Sequence, residues 1–280
     1  MKSVAILVIL GFYSVYAFSQ TFSGQVIDNK SKEPVAYANI GIVGKDVGTV
    51  SDVNGMFKLE LGSGKEADTV RISCVGYDSK MLLVLDLRNN LHPQIELSPK
   101  TYQLAEVIIL PSKIKMYTLG NFCDSSSCYG NSFRSGQLGT EIGVLMELPR
   151  KVEKAFLKNF RFYVGDFTFD KFPVRVNIYN LENGKPYQNI LNEPIYIDIT
   201  SDGEYIIPLE KFNITVLEDF FISLEYYRVH GDENGNLTFC AVHNRRKYKG
   251  NGYYRITSQG NWLPEFGDNL GFSVQVISEQ

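Results

Sequence analysis

Two histidines and a glutamate form the one part of this sequence with the spacing of a zinc site. His230 and Glu233 have His-x-x-Glu spacing, and His243 would supply a third ligand. A catalytic zinc needs three protein ligands and one open position. The segment lies between two predicted strands and runs into an Asn-Gly turn, which is not the context that such a motif requires. We therefore interpret it as a charged hairpin end, and we expect neither a metal nor another cofactor.

Pairs of carboxylates are the second group that could act chemically. Asp166 with Asp170, and Glu218 with Asp219, would serve glycosidic cleavage if they were held at the right separation. The sequence contains no Gly-x-Ser-x-Gly nucleophile elbow. Because acidic loop residues are usually solvated, we favour a protein that is not an enzyme. A hydrolase with its active site in the C-terminal half is the alternative.

Aromatic side chains are the residues best suited to binding a ligand. Tyrosine and tryptophan rings stack on sugar rings or peptide groups. Adjacent residues of a strand point to opposite faces, so one ring at most of each Tyr-Tyr pair lines a given surface. The candidate ligand-binding residues are Trp262, Tyr254 and Tyr226, the last two beside Tyr253 and Tyr227. The opposing interpretation is that the inward rings belong to the core and that the tryptophan anchors a loop.

Charge excludes one class of partner. The chain has 28 Lys plus Arg and 31 Asp plus Glu, a formal net charge of -3. Without a basic surface there is no electrostatic basis for binding nucleic acid. Glu225 and Arg255 lie inside predicted strands, where charged side chains are rarely buried. We interpret them as edge or outward positions rather than as a buried functional pair.

The four cysteines leave one pairing open. Cys123 and Cys128 bracket a polar Asp-Ser-Ser-Ser loop, and in an oxidising compartment they could close a small disulfide ring. Two reduced thiols are the alternative. Cys74 and Cys240 lie in predicted strands and are interpreted as small hydrophobic residues.

Short β-rich runs cut by turn residues position these side chains in the first third of the chain. Such runs, about ten residues apart between residues 22 and 110, predict a sandwich or a small barrel. Phe57, Leu59 and Leu61 alternate with polar residues, so they share the face that we expect to be core. Asn54-Gly55 is typical of a tight hairpin turn.

Several motifs in this part of the chain carry a family resemblance. In chain order they are Gly24-Gln25-Val26, Pro34, Ala38-Asn39-Ile40, Gly48 to Phe57, Val75-Gly76-Tyr77 and Ile95-Glu96-Leu97. Their order and spacing resemble the carboxypeptidase-regulatory-like domain, a transthyretin-like β-sandwich common in exported proteins of Bacteroidetes. The resemblance covers residues 22 to about 98 and implies a structural or docking module. Leu104 to Ile108 resembles the short strand that follows this domain in TonB-dependent outer-membrane receptors.

About nine strands are predicted from residue 137 onward, with Asn-Gly and Asp-Gly turns between them. Long antiparallel strands with wide loops favour a jelly-roll-like sandwich. The motifs Arg175 to Tyr179, Phe221 to Glu225, Tyr254-Arg255 and Trp262 are similar to a C-terminal module of other exported proteins. That similarity implies no particular activity.

The chain is therefore expected to be all-β with two β-sandwich domains. The expected divisions are a signal peptide at 1–20, the first sandwich at 21–100, a linker and entry loop at 101–136, and the second sandwich at 137–280. The signal peptide rests on Lys2, a short apolar run and a small-residue site near Ser19. About 170 residues follow residue 110, too few for the barrel of about 22 strands of an outer-membrane transporter.

We thus expect an exported, free-standing protein in the periplasm, on the outer-membrane surface or outside the cell. It has no predicted transmembrane span after the signal peptide. Its expected role is non-catalytic: a binding or structural protein that recognises a glycan, a peptide or an outer-membrane protein partner. Besides the hydrolase alternative, an assembly component stays open, in which Glu106 to Ile108 adds a strand to another protein's exposed edge.

Overall fold

The computed structural model of the chain is nearly all β-structure. It describes residues 20–62, 66–89, 92–100, 114–123, 129–133, 136–229, 235–242, 252–265 and 269–279. The strands are β1 (Gln20–Asp28), β2 (Asn39–Ile42), β3 (Gly48–Val50), β4 (Met56–Leu61), β5 (Thr69–Ser73), β6 (Lys80–Leu83), β7 (Gln94–Leu97), β8 (Ile114–Gly120), β9 (Tyr129–Asn131), β10 (Glu141–Met146), β11 (Ala155–Phe167), β12 (Phe172–Glu182), β13 (Lys185–Asn189), β14 (Ile195–Ile199), β15 (Gly203–Pro208), β16 (Thr215–Val216), β17 (Phe220–Tyr226), β18 (Leu237–Val242), β19 (Gly252–Arg255), β20 (Leu263–Pro264), β21 (Asn269–Leu270) and β22 (Ser273–Glu279). The helical elements are α1 (Val84–Arg88) and a 3-10 turn (Glu210–Phe212).

Two small sheets form the first sandwich. Their strand orders are β4-β1-β7 and β3-β2-β5-β6. Phe57, Leu59 and Leu61 of β4 are buried between them, as the alternation in the sequence predicts. Gly55 has a φ of 70°, which confirms the tight turn predicted before β4.

Two larger sheets form the second sandwich. One has the order β13-β12-β17-β10-β19-β20, with β14 also paired to β12. The other has the order β21-β18-β11-β22-β8, with β15 and β16 paired to β11 and β9 paired to β18. Buried phenylalanines fill the space between them: Phe160, Phe162, Phe239 and Phe272. The predicted all-β fold with two sandwiches is confirmed, and burial of these rings contributes to the stability of the second sandwich.

Several elements differ from the sequence-based expectation, among them β9, which lies in the predicted linker and pairs with β18. Where the sequence predicts only β-rich runs, β6 ends at Leu83 and the helix α1 follows. Val84 and Leu87 are both buried, because three residues apart on a helix they face the same side. Ile114–Gly120, expected to belong to a linker, is β8 and pairs with β22. Leu119 is its one buried residue, so the segment lacks the alternation that predicts a strand.

Several expectations concern residues outside the described ranges. These are the signal peptide up to residue 19, the zinc-like set His230, Glu233 and His243, Cys128, and the strand predicted at residues 104–108. Helices in the described part of the chain are too short or too polar to cross a lipid bilayer. The domain boundaries given above stay predictions.

Candidate functional site

Four charged side chains lie side by side across the seven-stranded sheet. Arg175 of β12 is directly opposite Glu225 of β17. Glu225 is opposite Glu141 of β10, which is opposite Arg255 of β19. Directly opposed residues of neighbouring strands point to the same face, so the four form one row, which we call the charged row. Each carboxylate in it has a guanidinium as its neighbour on one side.

Arg175 ends the row on one side and also binds the first sandwich. Its Nε and Nη2 donate to Oε2 of Glu225 over 3.1 and 2.8 Å. Its Nη1 donates to the carbonyl oxygen of Tyr37 over 2.8 Å, and its Nη2 to Oδ1 of Asn39 over 2.9 Å. Burial opposes the charge of this guanidinium, but the Glu225 carboxylate outweighs burial and raises the pKa of Arg175. The pair is thus a fixed ionic contact at the boundary of the two sandwiches.

Glu141 is surrounded by donors. Asn177 Nδ2 donates to it over 2.9 Å, Tyr179 Oη over 3.0 Å, and Ser223 Oγ also donates to it. Arg255 Nη2 lies 2.5 Å from Oε2 of Glu141. Burial raises the pKa of Glu141, and the arginine offsets this only in part. Burial likewise raises the pKa of Tyr179 well above 10.0.

The expectation that Glu225 and Arg255 are edge or outward positions is wrong with respect to burial. Glu225 is 0% exposed and Arg255 6% exposed. Both do face away from the core of the second sandwich, as an alternating strand requires. They are nevertheless buried, because the first sandwich covers that outer face. Each is paired with a charge of opposite sign on a neighbouring strand, which is how buried charges are tolerated.

The first sandwich touches the second through backbone as well as side chains. Ser258, just after β19, donates from Oγ to Oδ1 of Asn39 over 3.2 Å. Gly41 of β2 and Gly48 of β3 are paired neighbours. A Cβ atom on either would lie 2.2 Å from the carbonyl oxygen of Ser258. Glycine is therefore required where the two sandwiches meet, and we call this boundary the seam.

A cavity of about 350 Å³ opens at the seam. The first sandwich contributes Arg71, Ser73, Cys74 and Tyr77 to its wall, and the second contributes Arg175, Asn177, Tyr179, Tyr187, Asn189 and Arg255. Gln259 also lines it and donates from Nε2 to Ser73 Oγ over 2.9 Å. Amides, hydroxyls and guanidinium groups thus dominate the wall. A cavity of this size suits a small polar ligand.

Arg71 differs from the other two arginines of the cavity. Its half-buried side chain has no hydrogen bond or ion pair with any residue that the structure describes. Burial lowers the pKa of Arg71, and the nearby Arg255 lowers it further. Nε of Arg255 also lacks a hydrogen-bond partner within the described ranges. The seam cavity therefore contains cationic donors that the described side chains leave unused.

The aromatic residues selected from the sequence do not form one site. Trp262 packs behind the cavity wall, with its ring centroid 5.8 Å from that of Tyr179 and 4.8 Å from the Arg255 guanidinium. Tyr226 is buried on the opposite face of β17, among the core residues of the second sandwich. Tyr254 is partly buried against the same core. Trp262 thus contacts residues that line the seam cavity, whereas Tyr226 and Tyr254 pack against the core of the second sandwich.

The other candidate groups lie elsewhere. Asp166 and Asp170 are exposed, and Asp219 Oδ1 accepts a hydrogen bond from the backbone N–H of Leu148 over 2.7 Å. Within the described ranges, no three His, Cys, Asp or Glu side chains are grouped so that they could hold a metal ion. Glu218 and Asp219 line a separate surface pocket with Leu148 and Arg150, away from the seam cavity.

The cysteines are distributed over both sandwiches. Cys74 is a free thiol in the wall of the seam cavity, and burial raises its pKa. Cys240 is buried in β18 and is disulfide-bonded, so it is more than the small hydrophobic residue that the sequence indicates. The sulfur of Cys123 lies 3.8 Å from the carbonyl oxygen of Ala241. With Cys74 a free thiol and Cys240 already bonded, the four cysteines of the chain cannot also form a Cys123–Cys128 bond, so that predicted pairing is wrong.

Sequence reasoning missed most of the site. Arg71, Glu141 and Asn189 had no motif to single them out, and Asn177 belonged to the Arg175 to Tyr179 motif without a role being assigned to it. The available signal was polar residues two apart in otherwise apolar strands, as in Arg175-Val176-Asn177. That pattern predicts a face turned away from the core, but not that a second sandwich covers it.

Comparison with known proteins confirms the family resemblance of the first sandwich. Residues 22–109 match the family model of the CarboxypepD_reg-like domain. A stretch of 112 residues, 39% of this chain, is 31% identical to the TonB-dependent receptor SusC of Bacteroides thetaiotaomicron. The match spans only 10% of that receptor's length.

Comparison with solved structures finds remote similarity. The cysteine protease and lectin-like domains of Cwp84 from Clostridium difficile align with 93% of this chain and 58% of their own, at 11% identity and a TM-score of 0.37. A structure of the Gx strain of infectious bursal disease virus covers 98% of this chain and 58% of its own, with 11% identity and a TM-score of 0.27. Neither supports an inference about activity.

Proposed function

We propose that the chain is an exported, non-catalytic binding protein of the bacterial cell envelope, with its ligand in the seam cavity. The observation that carries this proposal is the cavity itself, a polar space between two sandwiches with arginine donors that described side chains leave unused. Because both sandwiches contribute residues to the wall, the binding site exists only when the two are packed together. The match of residues 22–109 and the similarity to an outer-membrane receptor support an envelope location.

The carboxylates near the cavity favour binding over hydrolysis. Among the described residues of its wall, Asp78 is the one carboxylate, and it is exposed. Glu141 and Glu225 lie beneath the wall, and each is bound to an arginine. A hydrolase acting through two carboxylates needs both to reach its substrate. This arrangement supplies fixed charges and hydrogen-bond donors instead.

A ligand screen with a blocked variant tests the proposal. The full chain is titrated calorimetrically with neutral sugars, sugar acids and short peptides. Gln188→Phe places a ring at an exposed position of the cavity wall, whereas Gln94→Phe makes the same change at an exposed position of β7. We expect at least one compound class to bind, about tenfold or more weakly to Gln188→Phe and unchanged to Gln94→Phe.

Two results would contradict the proposal. One is that none of the three compound classes binds the unchanged chain. The other is binding that Gln188→Phe and Gln94→Phe leave equally strong, because the ligand would then lie outside the seam cavity. Turnover of a bound sugar or peptide would contradict the non-catalytic part and favour the hydrolase alternative.

A further inference from the structure

The cations of the seam cavity are not equally available to a ligand. The guanidinium N–H groups of Arg175 already donate to Glu225, Tyr37 and Asn39. Arg255 is bound to Glu141, although its Nε has no partner within the described ranges. Arg71 is left with its whole guanidinium fork unused by the described residues. It is therefore the group in the wall best able to accept a charged ligand.

The position of Arg71 in β5 directs its guanidinium group toward the seam cavity. Arg71 and Ser73 are two residues apart in β5, so both side chains point away from the core of the first sandwich. Ser73 is bound by Gln259 of the second sandwich, which fixes this face of β5 against the seam. A guanidinium binds a carboxylate through two parallel hydrogen bonds, and such charge-assisted bonds are the stronger ones.

The balance of charge in the wall also favours an anion. Arg71, Arg175, Arg255 and Lys100 line the cavity, against the single described carboxylate of Asp78. The two buried glutamates of the charged row neutralise Arg175 and Arg255. The positive charge of Arg71 therefore has no counter-charge among the described wall residues, since Lys100 and Asp78 are exposed and of opposite sign. A ligand with one negative charge would neutralise Arg71.

The remaining wall groups indicate what else the ligand carries. Asn177, Asn189, Gln188 and Gln259 offer amide donors and acceptors. Tyr187 is 44% exposed and presents a ring on which a sugar ring can stack. Apolar side chains are few in the wall, with Val75 and Leu191 the aliphatic ones. These groups suit a small ligand with many hydroxyls better than a peptide side chain.

From these contacts we infer that the seam cavity binds an acidic sugar, with the sugar carboxylate on Arg71, the hydroxyls on the amides and the ring against Tyr187. The inference rests on the proposed binding function and adds the chemical class of the ligand. It assigns Arg71 the role of recognising charge, while the charged row holds the wall in place.

Titration of the full chain with matched sugars tests the inference. Glucuronate and glucose differ in a carboxylate at one carbon, so the ratio of their affinities reports on the contact with Arg71. We expect glucuronate to bind at least about tenfold more tightly than glucose. Arg71→Gln should remove this preference and leave the affinity for glucose unchanged. Arg71→Lys, which keeps the charge but loses the fork, should retain an intermediate preference.

A matched control and a fold check accompany these variants. Arg150→Gln removes an exposed arginine outside the seam cavity and should leave both affinities unchanged. The emission of Trp262, the chain's single tryptophan, reports whether the seam is intact in each variant, because this ring packs against Arg255 and Tyr179. If Arg71→Gln disturbs that emission, the comparison is made with Arg71→Lys.

The outcomes separate the two proposals. Equal binding of glucose and glucuronate, lost for both in Gln188→Phe, overturns the acidic sugar and leaves the proposed function standing. Inorganic phosphate that displaces glucuronate at equal or lower concentration also overturns the sugar assignment. If no sugar, sugar acid or peptide binds the unchanged chain, both proposals are overturned.

Discussion

Arg175 is the residue on which the contact between the sandwiches depends most. It connects Glu225 of the second sandwich to Tyr37 and Asn39 of the first. Replacing it by methionine would keep the volume but leave the Glu225 carboxylate buried without its cation. Breaking a buried pair in this way costs about 3–5 kcal/mol. We expect Arg175→Met to lower the free energy of unfolding by that amount in urea titrations followed by Trp262 emission.

An exposed ion pair provides the control for this change. Lys171 lies 2.7 Å from Asp198, and their side chains are 51% and 41% exposed. Exposed pairs contribute about 0–1 kcal/mol, since water screens them and their side chains lose conformational freedom. Lys171→Met should therefore have little effect. Similar losses for the two variants would show that burial of the charged row does not matter.

Glu225 and Arg255 show what the sequence could and could not predict for individual residues. Their places in the alternation of β17 and β19 predict side chains turned away from the core, and this holds. The sequence pattern does not contain the position of the other sandwich. Burial of an outward face depends on contacts between residues far apart in the chain, such as Arg175 with Asn39. The candidate site is formed by such contacts, so most of its residues escaped sequence reasoning.

Strands β2 and β3 approach the second sandwich closely because each has a glycine, Gly41 or Gly48, at the point of contact. Gly48 on β3 faces the Ser258 carbonyl oxygen, and a Cβ there would lie 2.2 Å from it. Gly48→Ala must push the strand and the Ser258 loop apart, and overpacking of this kind costs about 1–3 kcal/mol. We expect a lower urea midpoint and a shift in Trp262 emission, because that ring lies four residues beyond Ser258.

Gly136→Ala is the matched control for this steric effect. Apart from its neighbours in the chain, no atom of the described residues lies within 4 Å of a Cβ atom built at Gly136. A surface change of that kind stays within about 0.5 kcal/mol. If Gly48→Ala were as stable as Gly136→Ala, the close approach of the two sandwiches at β3 would be refuted.

Prediction of strands and turns succeeded where the determinants are local. Asn183 and Gly184 both have positive φ, 53° and 72°, and join β12 to β13 in the hairpin that their sequence predicts. β8 escaped prediction because it is an edge strand with most side chains exposed. Its membership of the sheet depends on pairing with β22, about 160 residues later. Elements fixed by distant pairing leave little trace in their own sequence.

The seam makes the two sandwiches depend on one another across the chain. A buried surface with fixed ion pairs requires both halves to be folded and in register. The first sandwich supplies Tyr37 and Asn39, and the second supplies the charged row. Loss of any part of this contact exposes charges that were positioned for a buried environment. Stability of the seam should therefore depend on the protonation of the groups within it.

Tyr179 is the group whose ionisation should lower the stability of the seam at alkaline pH. Burial raises its pKa well above 10.0, so in the folded chain the phenol stays neutral and keeps donating to Glu141. In the unfolded chain it ionises near pH 10, so its contribution is complete below that pH and is lost as the pH rises further.

Tyr179→Phe should destabilise the chain by about 1–2 kcal/mol near neutral pH, and this difference from the unchanged chain should shrink above pH 10. Urea titrations at several pH values measure it, with partly exposed Tyr163→Phe as control. A difference that stays constant into the alkaline range would mean that the Tyr179 hydroxyl does not stabilise the seam as a neutral donor.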